Sequence, residues 1–284
     1  MIYLLLSILT SVIVVCYFKL FDKYNVNTLQ AIVVNYLTCV VMGNLLADKP
    51  GITTQFWVEG WFPFTLILGF LFISVFYSIA QSAQKMGVSI TMVAGKLSVA
   101  LPVLFAIFLD HEPFGLIKLS GIILSMLAVY FISKTGENSP NKKLWYLPLY
   151  IFIGSGFIDA ILNYLDKQYI PPFDTNHILS FVFLTAFTLG SILLIYQYRK
   201  GERITLKNIL WGIALGIPNY MCMFFLLKML DAFPHASVIL PINNIGVVML
   251  TTLAGLSLFK EKLSNINWLG LGLAILSIII LSYS

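Results

Sequence analysis

The sequence predicts an all-α integral membrane protein, ten transmembrane helices in two inverted five-helix repeats. Scarcity of charge, the length of the apolar runs, and a correspondence between the two halves of the chain carry this prediction. Of 284 residues, 59% are apolar and 10% charged, whereas an ordinary soluble domain has about 25% charged residues. So little charge cannot coat a water-soluble surface of this size.

Ten apolar runs, 1–21, 28–47, 61–84, 89–109, 115–133, 145–166, 177–198, 208–230, 236–259 and 266–282, stand between charged or turn-rich breaks. A run of about 20 residues crosses about 30 Å of hydrocarbon as a helix. The first run lacks a basic start and a small-residue cleavage pattern, and it ends on Tyr17, Phe18 and Lys19. It is therefore expected to be retained as a helix rather than cleaved as a signal. The longest polar connection, Lys134 to Leu144, carries Gly136, Asn138, Pro140 and Asn141 and divides the chain near its midpoint. It separates two expected units, 1–135 and 142–284.

A shift of 149 residues lays 86–129 on 235–278 with ten identities in 44 positions, bringing Glu112 onto Glu261 and Gly121 onto Gly270. Low-complexity apolar helices match by chance, so the shared spacing from acidic residue to glycine says more than the identities. A shift of 144 sets Asp22 and Lys23, at the end of the first run, on Asp166 and Lys167, at the end of the sixth. The repeat unit is then five helices. Five is odd, so the second unit enters the membrane inverted, an arrangement common among secondary transporters.

The connections after odd-numbered runs carry twelve Lys and Arg (Lys19, Lys23, Lys85, Lys134, Lys142, Lys143, Arg199, Lys200, Arg203, Lys207, Lys260, Lys262), and the even ones carry Lys49, Lys118, Lys167 and Lys228. The positive-inside rule then places both termini outside. The net charge of +5 lies in loops beside the membrane, where its partner is anionic lipid headgroup rather than nucleic acid.

Ten spans in two halves, with Val93-Ala-Gly-Lys-Leu-Ser-Val-Ala-Leu-Pro102 leading to Leu109-Asp-His-Glu112 and then Gly121, resemble the drug/metabolite transporter superfamily, in its EamA-like transporter family. The likeness extends over the whole chain, except that Thr251 replaces the counterpart of Pro102. It implies an alternating-access carrier with a cavity between the halves and both termini in the cytoplasm, against the charge count. It also implies a multi-pass protein of the cell membrane, the bacterial cytoplasmic (inner) membrane. Family members move amino acids, metabolites, nucleotide sugars, sugar phosphates or drugs.

Lys96 lies well inside the fourth run, where a charge costs several kcal/mol unless it faces water or a partner. It is a candidate to attract an anionic or zwitterionic solute; alternatively it snorkels, or pairs only to hold helices together. Asp159, just after Gly154-Ser-Gly156, sits comparably deep in the sixth run and is the coupling candidate, or simply the partner of Lys96. Asn243 and Asn244 follow Pro241 and align with Ala94 and Gly95, next to Lys96, and matched positions of inverted halves tend to converge on one cavity. Pro218, Asn219 and Tyr220 make a similar polar break in the eighth run. Asn35, Tyr36, Tyr77, Gln81 and Asn163 complete the candidate substrate-binding set, each with helix–helix hydrogen bonding as the alternative.

Glu112 and Glu261, at hairpins, are expected to serve helix ends. Trp57, Trp61, Trp145, Trp211 and Trp268 are expected as interfacial anchors. His111, His177 and His235 fall at helix ends, and Cys16, Cys39 and Cys222 read as small buried hydrophobes. No phosphate loop, metal spacing or nucleophile elbow is present, so no enzyme, cofactor, catalytic residue or metal site is expected. The function expected is secondary-active transport, as a permease or exporter, of a small polar metabolite such as an amino acid or another anionic or zwitterionic solute. A flippase for a lipid-linked intermediate or a non-transporting membrane protein are the alternatives.

Overall fold

The computed structural model describes residues 2–46, 60–109, 115–133, 144–169, 175–232 and 236–282. Among the expectations above, those on Lys49, Trp57, His111, Glu112, Lys134, Lys142, Lys143, the linker before Leu144 and His235 lie outside the described residues, as do the side chains of Asp166, Lys167 and His177.

The described residues form helices and no strands. In order they are α1 (Ile2–Lys23), α2 (Thr28–Leu46), α3 (Phe62–Lys85), α4 (Val88–Leu97), α5 (Ala100–Leu109), α6 (Leu116–Ser133), α7 (Tyr146–Tyr169), α8 (Thr175–Arg199), α9 (Leu206–Ala232), α10 (Ala236–Leu258) and α11 (Asn265–Ser282). Each apolar run appears within a few residues of its expected limits, with α4 and α5 sharing the fourth. Among the described residues, nine segments have the length and hydropathy of a membrane span, α4 and α5 counting together as Val88–Phe105, and α6 supplies a shorter tenth, Leu116–Ile132.

The helices are apolar outward. On α1, Leu5, Leu9 and Ile13 are exposed while Ser11 is buried, its hydroxyl 2.8 Å from the Ser7 carbonyl and 3.0 Å from Cys222 Sγ, because hydrocarbon surrounds the bundle and polar groups must be satisfied within it. Trp145 and Trp268 are exposed near helix ends, as anchors should be, but Trp61 is fully buried. Its ring lies 5.3 Å from that of Phe181, so Trp61 is a packing residue. Trp211 likewise packs among Tyr17, Phe21 and Tyr24.

Exchanging the halves exchanges α1 with α7, α2 with α8, α3 with α9, α4/α5 with α10 and α6 with α11. Several of the packed pairs respect that exchange, whereas α1–α3 packs without a comparable α7–α9 pair. The pair α2–α9 has its counterpart in α8–α3, α1–α9 in α7–α3, and α1–α10 in α7–α4, while α6–α11, α2–α8 and α4–α10 pair with themselves.

Of these self-paired sets, α6–α11 and α2–α8 run antiparallel. Gly121, early in α6, faces Leu281 at the end of α11, and Gly270, early in α11, faces Ile132 at the end of α6. Gly43, late in α2, faces Ser180, early in α8, while Gly190, late in α8, faces Val33, early in α2. Gly255, late in α10, faces Ser89 at the start of α4. Small residues let these backbones approach, which compensates for the weak hydrophobic drive between helices in lipid.

Candidate functional site

The fourth run is broken at Ser98 and Val99 because Pro102 has no N–H for the carbonyl of Ser98 and its ring crowds that carbonyl. The carbonyl is taken instead by Leu101 N–H at 2.9 Å in a tightened turn. The Ser98 side chain faces α7, its Oγ 3.0 Å from Asp159 Oδ2 and 2.6 Å from the Gly95 carbonyl of its own helix. Thr251 stands at the corresponding place in the second half, and α10 runs unbroken through it.

Lys96, half-buried one turn before the break, acts electrostatically on Asp159. No direct ion pair joins the two among the described residues. The Asp159 side chain is accessible over part of its surface although protein crowds it. It stands on the exposed side of α7, beside the end of α4. A cation and a carboxylate thus stand near one another, with the Ser98 hydroxyl between the end of α4 and α7.

Ser89, at the start of α4, packs beside Gly255 of α10, the helix that carries Asn243 and Asn244. Asn243 is buried with its side-chain oxygen unpartnered, and Asn244 is half-buried. An unpaired buried amide oxygen costs about 1–3 kcal/mol, a standing cost that a ligand donor would relieve.

The remaining candidates divide. Asn219 donates to Asn35 Oδ1 at 3.1 Å and lies 3.5 Å from Cys39 Sγ, between α2 and α9. There Gly212 and Gly216 bring the helices close. This is the interhelical amide bond of the alternative reading, although Asn35 Nδ2 remains buried without an acceptor. Asn219→Ala should lower stability by about 1 kcal/mol in detergent unfolding, and no change would show that the bond contributes nothing.

Tyr36 is fully buried, donates to the Phe72 carbonyl at 2.8 Å, and packs on Phe76 and Phe183. Tyr220 is buried in the same cluster. Tyr77 and Asn163 are exposed and Gln81 is half-buried; none of these three joins the Lys96 and Asp159 group through a described bond.

Two contributors escaped the sequence reading. Ser98 could have been found as the residue four before Pro102. The other is the seat of Glu261, whose carboxylate accepts from Val88 N–H at 2.7 Å and from Ser89 Oγ at 2.9 Å. The expected helix-end role of Glu261 is thus fulfilled across the halves, which spacing alone did not disclose. Among the described residues no cluster of His, Cys, Asp and Glu could hold a metal.

The model of the EamA-like transporter family matches residues 146–283. An uncharacterized protein of Haemophilus influenzae is 27% identical over 288 residues, spanning 99% of this chain and 97% of that protein. A protein of known crystal structure, 12% identical, superposes over 97% of this chain and 96% of its own with a TM-score of 0.57, a likeness of fold alone. The chain is thus a multi-pass membrane protein whose residues 146–283 match the EamA-like transporter family, a family of the drug/metabolite transporter superfamily.

Proposed function

We propose that the protein is a secondary carrier of a small polar metabolite, an anionic or zwitterionic solute such as an amino acid, working in a bacterial cytoplasmic membrane. The observation that carries this reading is the juxtaposition of Lys96, Ser98 and Asp159 at the break in the fourth span. A membrane interior tolerates charge where the charge has a partner or a task. A substrate carboxylate is drawn to Lys96, and the open amide oxygen of Asn243 and the carboxylate of Asp159 offer acceptors to an ammonium group.

The units 1–135 and 142–284 are read as inverted repeats, supported by the exchange symmetry of the packing and by the antiparallel course of the matched helices. Such repeats alternate access by rocking about a site near the middle of the membrane. Coupling enters through Asp159: a proton on its carboxylate or an incoming substrate anion changes the electrostatic attraction between it and Lys96.

The test is counterflow in proteoliposomes, with candidate solutes chosen by ligand-induced thermal stabilisation, since a ligand of the folded state must raise its stability by mass action. Saturable exchange of an anionic or zwitterionic solute supports the carrier. Movement of a lipid-linked substrate with no exchange of soluble solutes would instead identify a flippase.

A further inference from the structure

We propose that Glu261 is the positioning residue of a gate: its carboxylate holds the N-terminus of α4, and this clasp must open before the Lys96 site reaches the face of the odd-numbered connections. The inference rests on the carrier reading above.

The clasp has a built seat. Glu261 Oε1 accepts from Val88 N–H at 2.7 Å, and Oε2 lies 2.9 Å from Ser89 Oγ and 3.4 Å from Ser89 N. The open N–H groups of a helix start carry partial positive charge, which a carboxylate complements. Two glycines leave room for it. A Cβ on Gly255 would lie 2.5 Å from Oε2, and one on Gly87 would lie 2.9 Å from the carboxylate, with Gly87 at φ 115°. The hairpin aims the side chain, since Glu261 N–H donates to the Gly255 carbonyl at 2.9 Å and Lys260 takes φ 53°.

What makes the clasp a gate is which bodies it joins. Helix caps are ordinarily local, whereas this one comes from a hairpin 173 residues away in the other half. The break at Ser98 turns α4 into a separate ten-residue rod, and both of its ends are held by carboxylates of the second half. Glu261 holds its start, and Asp159, through Ser98, holds its end. Lys96 rides on that rod. Any parting of the halves at the odd face that separates α4 from the α10–α11 hairpin breaks the Glu261 bonds.

The experiment places Lys96→Cys in the full chain with Cys16, Cys39 and Cys222 replaced by alanine, in vesicles of known orientation. A membrane-impermeant cationic thiol reagent is added from one face at a time. With Glu261 present, labelling from the odd face should be slow. Glu261→Gln should raise it about tenfold, the population change equivalent to one hydrogen bond to a charged group. Ser89→Ala, which spares the carboxylate, should shift it in the same direction by less, and decides the matter alone if Glu261→Gln does not fold. A purely structural cap would lower thermal stability without changing the sidedness of labelling, and odd-face rates equal to the parent's in the folded variants would overturn the gate. Should labelling occur from the even face only, in every variant, the gate falls while the carrier reading stands. Labelling from neither face in any variant would remove both.

Discussion

Lys96→Ala is expected to reduce saturable exchange by about tenfold to a hundredfold, the range corresponding to the loss of a hydrogen bond to a charged group. The change removes the one Lys or Arg placed in the interior of a span and leaves the Asp159 carboxylate with Ser98 as its described partner. Two consequences then mix, lost attraction for the solute and a carboxylate stranded without its cation. Asp159→Asn in the same chain separates them, because the amide needs no cation. If the double variant regains stability but not exchange, the pair acts on the substrate or its coupling rather than on packing. If it regains both, the pair serves to hold α4 against α7. Exchange unchanged in Lys96→Ala would take the lysine out of the mechanism.

Gly270→Leu is expected to cost several kcal/mol of stability and to be among the most damaging changes in the chain. A Cβ at this position would lie 2.7 Å from the backbone nitrogen of Ile132, 3.1 Å from its Cα and 3.2 Å from the Ala128 carbonyl oxygen. Backbone cannot turn aside as a side chain can, so α6 and α11 must separate, and overpacking of this kind costs about 1–3 kcal/mol. Separation also stretches the bonds from Asn267 Nδ2 to the Ile132 carbonyl at 2.9 Å and from Ser277 Oγ to the Gly121 carbonyl at 2.8 Å, each contributing about 1 kcal/mol. Gly121→Ala is the graded control, because its Cβ meets side-chain atoms of Leu281 and Ile280, which can move. Unfolding in detergent with a clearly larger loss for Gly270→Leu supports this order, and equal losses would contradict it.

The helices were legible because hydrocarbon imposes a length and a composition on every span. Pairing Gly121 with Gly270 through a shift of 149 residues located two ends of a single interface, though not that they meet across α6 and α11. Trp61 misled because tryptophan near a span end suits either a lipid interface or a buried aromatic cluster, and only neighbours such as Phe181 decide between them. Asn35 and Asn219 show the same ambiguity. An asparagine in an apolar helix must satisfy its amide, and the sequence does not say whether with a substrate or with another helix.

The loop charges illustrate a further limit. Lys19 donates to the Gln84 carbonyl at 3.0 Å, near the C-terminus of α3, and Lys207 donates to the Tyr24 carbonyl, just past the end of α1. Both therefore have a helix-end reason for their side of the membrane besides the positive-inside rule. A charge count cannot distinguish the two causes.

By itself, the sequence determined that the chain lives in a membrane, where its apolar helices run, and where a charge stands inside an apolar run, because these follow from the free energy of single residues and runs in hydrocarbon. Only the tertiary structure decided that Pro102 divides the fourth span, that Ser98 then reaches Asp159, and that Glu261 holds the far end of the same short helix. Those bonds join residues 61 and 173 positions apart, and such contacts depend on how helices pack rather than on what any one of them contains.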